Sequence, residues 1–244
     1  MRAVAEGASL AGGVRVLAVL MVGYLVLAQP VIGAWSHHRF RASADPGARL
    51  RRYRRTAAIE WTLVAVAVAL VAGAPGLDLG DLGVRWPRAS AYTAVGAVGL
   101  LLSLGLLVGL RRRVDQGVQV VAPVEVSALM PRTAAERRAF AGLAVTAGVC
   151  EEVLYRGVLL AVAVAVAPGL GPWRLVLVSA LAFAVAHTYQ GVAGMLTAFV
   201  LGGSLAVLFL GSGSLLLPVL YHVLVDLRVL VLAVARPRPR HRAA

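Results

Sequence analysis

Apolar runs long enough to cross a bilayer recur along the chain, and the arginines stand in blocks between them. A helix needs about 20 mainly apolar residues to cross the hydrocarbon core of a membrane. The runs fall at about 10–34, 57–74, 90–110, 138–167, 173–190, 191–210 and 214–235. This spacing predicts an all-α, polytopic transmembrane helical bundle of about seven spans. Composition agrees: 60% of residues are hydrophobic and 14% charged, far from an ordinary soluble domain. The net charge of +13 comes from Arg alone, since Lys is absent. In a soluble chain such a balance would suggest a nucleic-acid binder. Arginine blocks between apolar spans instead follow the positive-inside rule, so the expected partner is the lipid bilayer and not nucleic acid.

The same rule sets an orientation. The loop 36–56 carries Arg39, Arg41, Arg49, Arg51, Arg52, Arg54 and Arg55 against Asp45. Loop 111–138 opens on Arg111, Arg112 and Arg113 and closes on Arg137 and Arg138, and the tail at 236–242 is basic. Loop 75–89 balances Asp78 and Asp81 against Arg85 and Arg88. Seven spans with the N-terminus outside put the three basic segments in the cytoplasm and the balanced loop outside. The first run extends past Pro30 to Trp35, longer than the core of a cleaved signal, so it is read as a span that Pro30 kinks. The single cysteine, Cys150, forbids an intramolecular disulfide. The expected organisation is N-terminal spans over 1–128, a catalytic helical core over 129–235 and a basic cytoplasmic tail over 236–244.

Glu151 and Glu152 lie inside the fourth run. A charge at the bilayer centre costs roughly 2.5–3.5 kcal/mol on insertion scales, so intramembrane acids mark function by default. Thr133 and Glu136 fit a capping box that starts this helix, which sets Glu151 roughly 18 Å past the start of the apolar run. Glu152 and Arg156 are four apart, with the acid N-terminal, the favourable order for a helical ion pair. Glu151 is left free to act as a base, with Tyr155 one turn along on its face. Phe183 and His187 share a face of the fifth run, and His222 and Asp226 share a face of the last. A charge cluster that only ties helices together is the plainer account of any one of these pairs. One base, two His and one Asp on three helices ask for more. Two chemistries fit. In one, Glu151 is a general base on a water that His187 also holds, while His222 and Asp226 bind the oxyanion. In the other, a carboxylate such as Glu151 joins His187 and His222 as ligands of zinc. Cys150 and the glycines Gly191, Gly194, Gly202 and Gly203 are read as packing residues, His37 and His38 as solvated, and Glu60 as a side chain snorkelling from a span's inner end.

The motifs Glu151-Glu152-x-x-x-Arg156-Gly157, Phe183-x-x-x-His187 and His222-x-x-x-Asp226 resemble the CPBP family. These are the CAAX-protease and bacteriocin-processing intramembrane proteases, also called the Abi family. The likeness covers about 129–230 and takes in Leu129 to Thr133 and Gly211 to Leu215. It implies a helical bundle with a cavity open to the cytoplasm. It also implies a Glu151–His187 pair activating water and a His222–Asp226 oxyanion pair; that favoured chemistry requires no cofactor, and zinc is the alternative. Eukaryotic CAAX endopeptidases of the family carry Asn at the position of Asp226. The expected function is therefore an intramembrane endopeptidase acting on a peptide or membrane-protein substrate, in a bacterial plasma membrane. The rival classes are a non-proteolytic immunity or scaffold protein on the same fold, and a transporter or haem protein using the two histidines.

Overall fold

A computed structural model describes residues 12–74, 78–118 and 127–234. Among them there is no strand, and the chain forms seven helices or helix stacks. They are α1 over Gly12–Arg41 and α2 over Ala48–Ala72. Next come α3 over Ala91–Asp115 and α4 in three continuous pieces, Ala134–Glu152, Val153–Val158 and Leu159–Val166. Then follow α5 over Pro172–Ala186, a 3-10 turn at Thr188–Gln190, α6 over Gly191–Ser212 and α7 over Leu216–Val234. Five are long and apolar enough to cross a membrane: α1, α2, α3, α6 with the turn before it, and α7. The other two are α4, which carries the charged motif, and α5, which has 15 residues. The bundle of about seven spans read from the apolar runs is therefore present, and the protein is an integral membrane protein. The basic tail at 236–242 and parts of loops 75–89 and 111–138 lie outside the described residues.

The loops gather into two ends. At one, Arg49 donates to the Ala128 carbonyl at 3.0 Å and to Glu136 at 2.9 Å, and the Tyr53 hydroxyl donates to the Leu129 carbonyl. His37 lies against Tyr189 at 5.5 Å between rings, so the 187–190 turn joins the same end. At the other end the Arg88 amide donates to the Ser212 carbonyl and the Leu215 amide to the Gly83 carbonyl, each at 2.9 Å. Gly213 caps α6 with a φ of +70° beneath the Arg88 guanidinium, a left-handed conformation and a close approach that both call for glycine. This grouping is what strict up-and-down alternation of seven spans requires. Trp86 and Trp173, 83% and 72% exposed at the second end, suit the aromatic belt of a membrane interface.

Proline does not break α1. A π turn at Tyr24–Ala28 immediately precedes the piece that contains Pro30. A proline ring collides with the carbonyl four residues back, and the wider turn absorbs that conflict. A second π turn, Val153–Val158, interrupts α4 at Tyr155, Arg156 and Gly157. Helices α2 and α4 run side by side in the same direction, joined by Arg49 on Glu136, Tyr53 edge-on to Phe140 at 5.5 Å, and Trp61 donating to Thr146 at 3.2 Å. Helix α7 closes on α4 at Gly148, where a Cβ would meet the Val223 side chain at 2.4 Å and its amide nitrogen at 2.9 Å.

The capping box starts α4 as the sequence indicates. The Glu136 amide donates to the Thr133 hydroxyl at 3.1 Å, and the Thr133 amide returns a bond to the Glu136 carboxylate at 3.0 Å. The Arg132 amide adds a third bond at 2.7 Å. Burial pushes the Glu136 carboxyl up, but these amides and the Arg49 guanidinium outweigh it and hold the group below its usual range. A carboxyl depressed in the folded state stabilises fully above its unfolded pKa and loses that contribution as pH falls through the folded value. Glu136→Gln should therefore lower stability by about 1–2 kcal/mol at neutral pH. Thermal unfolding in detergent should show the gap to wild type closing as the pH drops below about 4. A gap that persists unchanged in acid would contradict the assignment.

Candidate active site

The centre of the bundle is organised by one oxygen. Glu152 Oε1 accepts from Arg156 Nη1 at 2.8 Å and lies 2.8 Å from His222 Nδ1. Glu152 and Arg156 are completely buried, and His222 is nearly so. The ion pair inferred from the four-residue spacing is thus formed, and a second function of Glu152 appears that spacing within one helix does not reveal. Facing a guanidinium, Glu152 acts as a carboxylate and can only accept, so His222 Nδ1 carries the hydrogen. This fixes the ring and turns Nε2 the other way. There it lies 3.8 Å from Glu151 Oε2 and 3.9 Å from Asp226 Oδ2.

Arg156 is held at both terminal nitrogens and at its face, while its Nε is buried without a hydrogen-bond partner among the described residues. Its Nη2 donates to the Gly202 carbonyl at 3.1 Å, and its guanidinium stacks 4.6 Å from the Phe183 ring centroid. Gly202 lets α6 come near enough, because a Cβ there would stand 3.1 Å from Phe183 Cβ. Phe183 is a hub. It lies edge-on to Tyr155 at 5.3 Å and to His222 at 5.6 Å, and against His187 at 4.5 Å. The Tyr155 hydroxyl donates to Gln29 Oε1 at 2.6 Å, which ties the π turn of α4 to α1.

His187 ends α5. Its Nδ1 lies 2.7 Å from the Phe183 carbonyl, which can only accept, so Nδ1 carries the hydrogen and Nε2 keeps a lone pair. Fifteen residues reach about 22 Å, short of the ~30 Å core. Helix α5 is thus shorter than a full span, and His187 stands at its arginine-rich end. Among the described residues no hydrogen bond or ion pair joins Glu151 to His187; the side chain that Glu151 approaches is His222. The zinc arrangement is not assembled: no three His, Cys, Asp or Glu among the described residues stand where they could hold one ion. His222 Nδ1 and His187 Nδ1 are both already committed, to Glu152 and to Phe183.

The sequence passes over Gln29 and reads Glu60 only as a snorkelling side chain, whereas the Glu60 Oε2 is buried. Gln29 reads as a polar residue beside a proline, and its bond to Tyr155 is visible only once α1 packs on α4. Glu60 stands within electrostatic reach of Glu151, Asp226 and His222.

The shared oxygen gives a test. Arg156→Ala strands the Glu152 charge and should cost about 3–5 kcal/mol, seen as lost folded yield. A double variant with Glu152→Leu and Arg156→Met removes both charges and should regain most of that yield. It should still be inactive, because His222 loses its Nδ1 acceptor. Activity in the folded double variant would show that Glu152 does not orient His222.

Residues 135–228 match a family model described as Type II CAAX prenyl endopeptidase Rce1-like. Comparison with the curated proteins and with solved structures gave no match. The matched segment runs from the first turn of α4 to α7, and it contains Glu151, Glu152, Arg156, Phe183, His187, His222 and Asp226. This segment, less than half of the chain, is thus similar to the CPBP/CAAX protease family, a family of hydrolases.

Proposed function

We propose that the protein is an intramembrane endopeptidase in which Glu151 is the general base. The observation that carries this reading is the fixed His222 ring, whose Nε2 faces Glu151 and Asp226 together inside the membrane. Glu151 takes a proton from water as the water oxygen bonds to the scissile carbonyl carbon, and the carbonyl electron pair moves to oxygen. His187 Nε2, with its lone pair free, steadies the same water. His222 and Asp226, the latter in its protonated form, donate to the oxyanion. For Nε2 to donate, the ring must carry both hydrogens, a charge that the Glu152 carboxylate on Nδ1 balances. When the intermediate collapses, the C–N bond breaks and the proton on Glu151 passes to the leaving amine.

The substrate is a peptide or a membrane-protein segment that enters from the arginine-rich end, where α5 stops short. By the positive-inside rule that end is cytoplasmic, with the N-terminus outside and the C-terminus inside. Basic usage restricted to Arg favours a bacterial plasma membrane. The catalytic core is 129–235, with 1–128 as supporting spans and 236–244 as a cytoplasmic tail. No metal enters the mechanism.

The test is hydrolysis of a pool of internally quenched fluorescent peptides by purified protein in detergent. Glu151→Gln should lose about 10²–10⁴-fold in rate. Asp226→Asn keeps a donor and should retain most activity, whereas Asp226→Ala and His222→Ala should each lose on the order of 10²-fold. A fully active Glu151→Gln sinks the reading. A chelator should have no effect; loss of activity that zinc restores would require a metal mechanism. Orientation is checked separately by cysteine labelling on intact cells. A cysteine at Trp86 should react with an impermeant reagent, and one at Arg132 should not.

A further inference from the structure

Glu60 is a carboxyl that the fold does not use. It lies in α2, within the run Ala57-Ala58-Ile59-Glu60-Trp61, and its Oε2 is buried with no hydrogen-bond partner. A buried polar atom without a partner costs about 1–3 kcal/mol, so a purely structural Glu60 would be selected towards an apolar residue. Its charged neighbours do not supply a structural bond. Among the groups acting on it, Glu151 and Asp226 are acids and His222 already bonds Glu152.

Register shows where Glu60 sits. Arg49 meets Glu136, Tyr53 meets Phe140 and Trp61 meets Thr146, so Glu60 is level with residues 145–147 of α4. Glu151 is four to six residues farther on, roughly 6–9 Å along the axis and away from the arginine-rich end. Two glutamate side chains on neighbouring parallel helices can meet across that interval. Glu151 Oε2 is also buried without a hydrogen-bond partner, while the side chain as a whole is 16% exposed. Each helix therefore offers one orphaned carboxyl oxygen in the same part of the bundle.

We infer that Glu60 is a positioning residue for Glu151, donating its carboxyl O–H to Glu151 Oε2 and leaving Oε1 to receive the proton of the water. Two carboxylates that meet in an apolar setting do not both ionise, so one keeps its proton. An O–H donated to a carboxylate is a strong, short bond that fixes the acceptor's rotamer. Glu60 touches neither substrate nor water, and it acts through Glu151. The inference rests on the assignment of Glu151 as the base, and its test separates the two.

Glu60→Gln retains a donor, whereas Glu60→Leu does not. Against the same quenched peptides, Gln should keep kcat within about threefold of wild type. Leu should lose about 10-fold or more in kcat with KM within about twofold, as expected for a displaced catalytic group. Thermal unfolding in detergent should be unchanged for both; if Leu does not fold, Glu60→Met gives the same comparison. Infrared spectra of the purified protein supply a readout independent of cleavage. A protonated-carboxyl C=O band present in wild type should vanish in Glu60→Leu and shift in Glu151→Gln. Wild-type kcat in Glu60→Leu, or an unchanged band in that variant, overturns the inference. If Glu151→Gln cleaves normally while the band behaves as stated, the Glu60–Glu151 pair stands and the assignment of Glu151 as base falls.

Discussion

Glu152 Oε1 takes bonds from Arg156 and His222 at once, and much of the surrounding structure exists to make that affordable. Removing two charges from water costs several kcal/mol per ion after relaxation, and their attraction alone seldom returns it. The remaining hydrogen bonds decide the balance. Arg156 has its second nitrogen on the Gly202 carbonyl and its face on Phe183, and Gly148 lets α7 approach until His222 reaches the carboxylate. The π turn at Val153–Val158 belongs to the same arrangement, because it sets the turn of α4 on which Arg156 departs from the helix axis. Loss of either ion leaves the other charge without a partner in a medium that cannot hydrate it.

From that fixed pair the asymmetry of the site follows. Arg156 and His222 share the Glu152 carboxylate, so these three form one hydrogen-bonded unit. Glu151, Asp226 and Glu60 lie beyond it, around the free side of His222. The three acids of the bundle centre that make no hydrogen bond among the described residues are therefore collected on one flank. That flank lies nearer the arginine-rich end, because α5 terminates early and turns at His187. A short helix thus does two things. It caps itself with the His187 ring on the Phe183 carbonyl, and it brings the 187–190 turn against His37 of α1.

Much of this was legible in the order of residues. Apolar runs of span length mark the helices, and Thr133 with Glu136 marks the start of α4 within a residue. The spacing of Glu152 and Arg156 marks their pair, because those relations lie within one helix. What was hidden lies between helices. His222 reaches Glu152 across seventy residues, Tyr155 reaches Gln29, and neither distance leaves a periodic trace. Glu60 shows the limit best. An acid near the end of a span looks the same whether it snorkels to the interface or faces another helix, and only the register of α2 against α4 separates the two. The π turn before Pro30 was hidden for another reason: proline signals a conflict, while the backbone chooses between bending and widening.

The first two helices therefore take part in the site that the matched segment contains. Tyr155 needs Gln29 from α1 for its hydroxyl, and Thr146 takes the Trp61 indole from α2. The cap of α4 is locked by Arg49 from α2, which also bonds the Ala128 carbonyl. Together these contacts set the height and rotation of Glu151 and Glu152. A helix carrying two adjacent acids cannot rotate far without exchanging their environments, since neighbouring residues point about 100° apart. Clamping α4 at its cap, near its middle and at its π turn holds Glu152 on Arg156 and His222, and keeps Glu151 on the open flank. The difference in role between two identical side chains is thus maintained by helices that lie outside the matched segment.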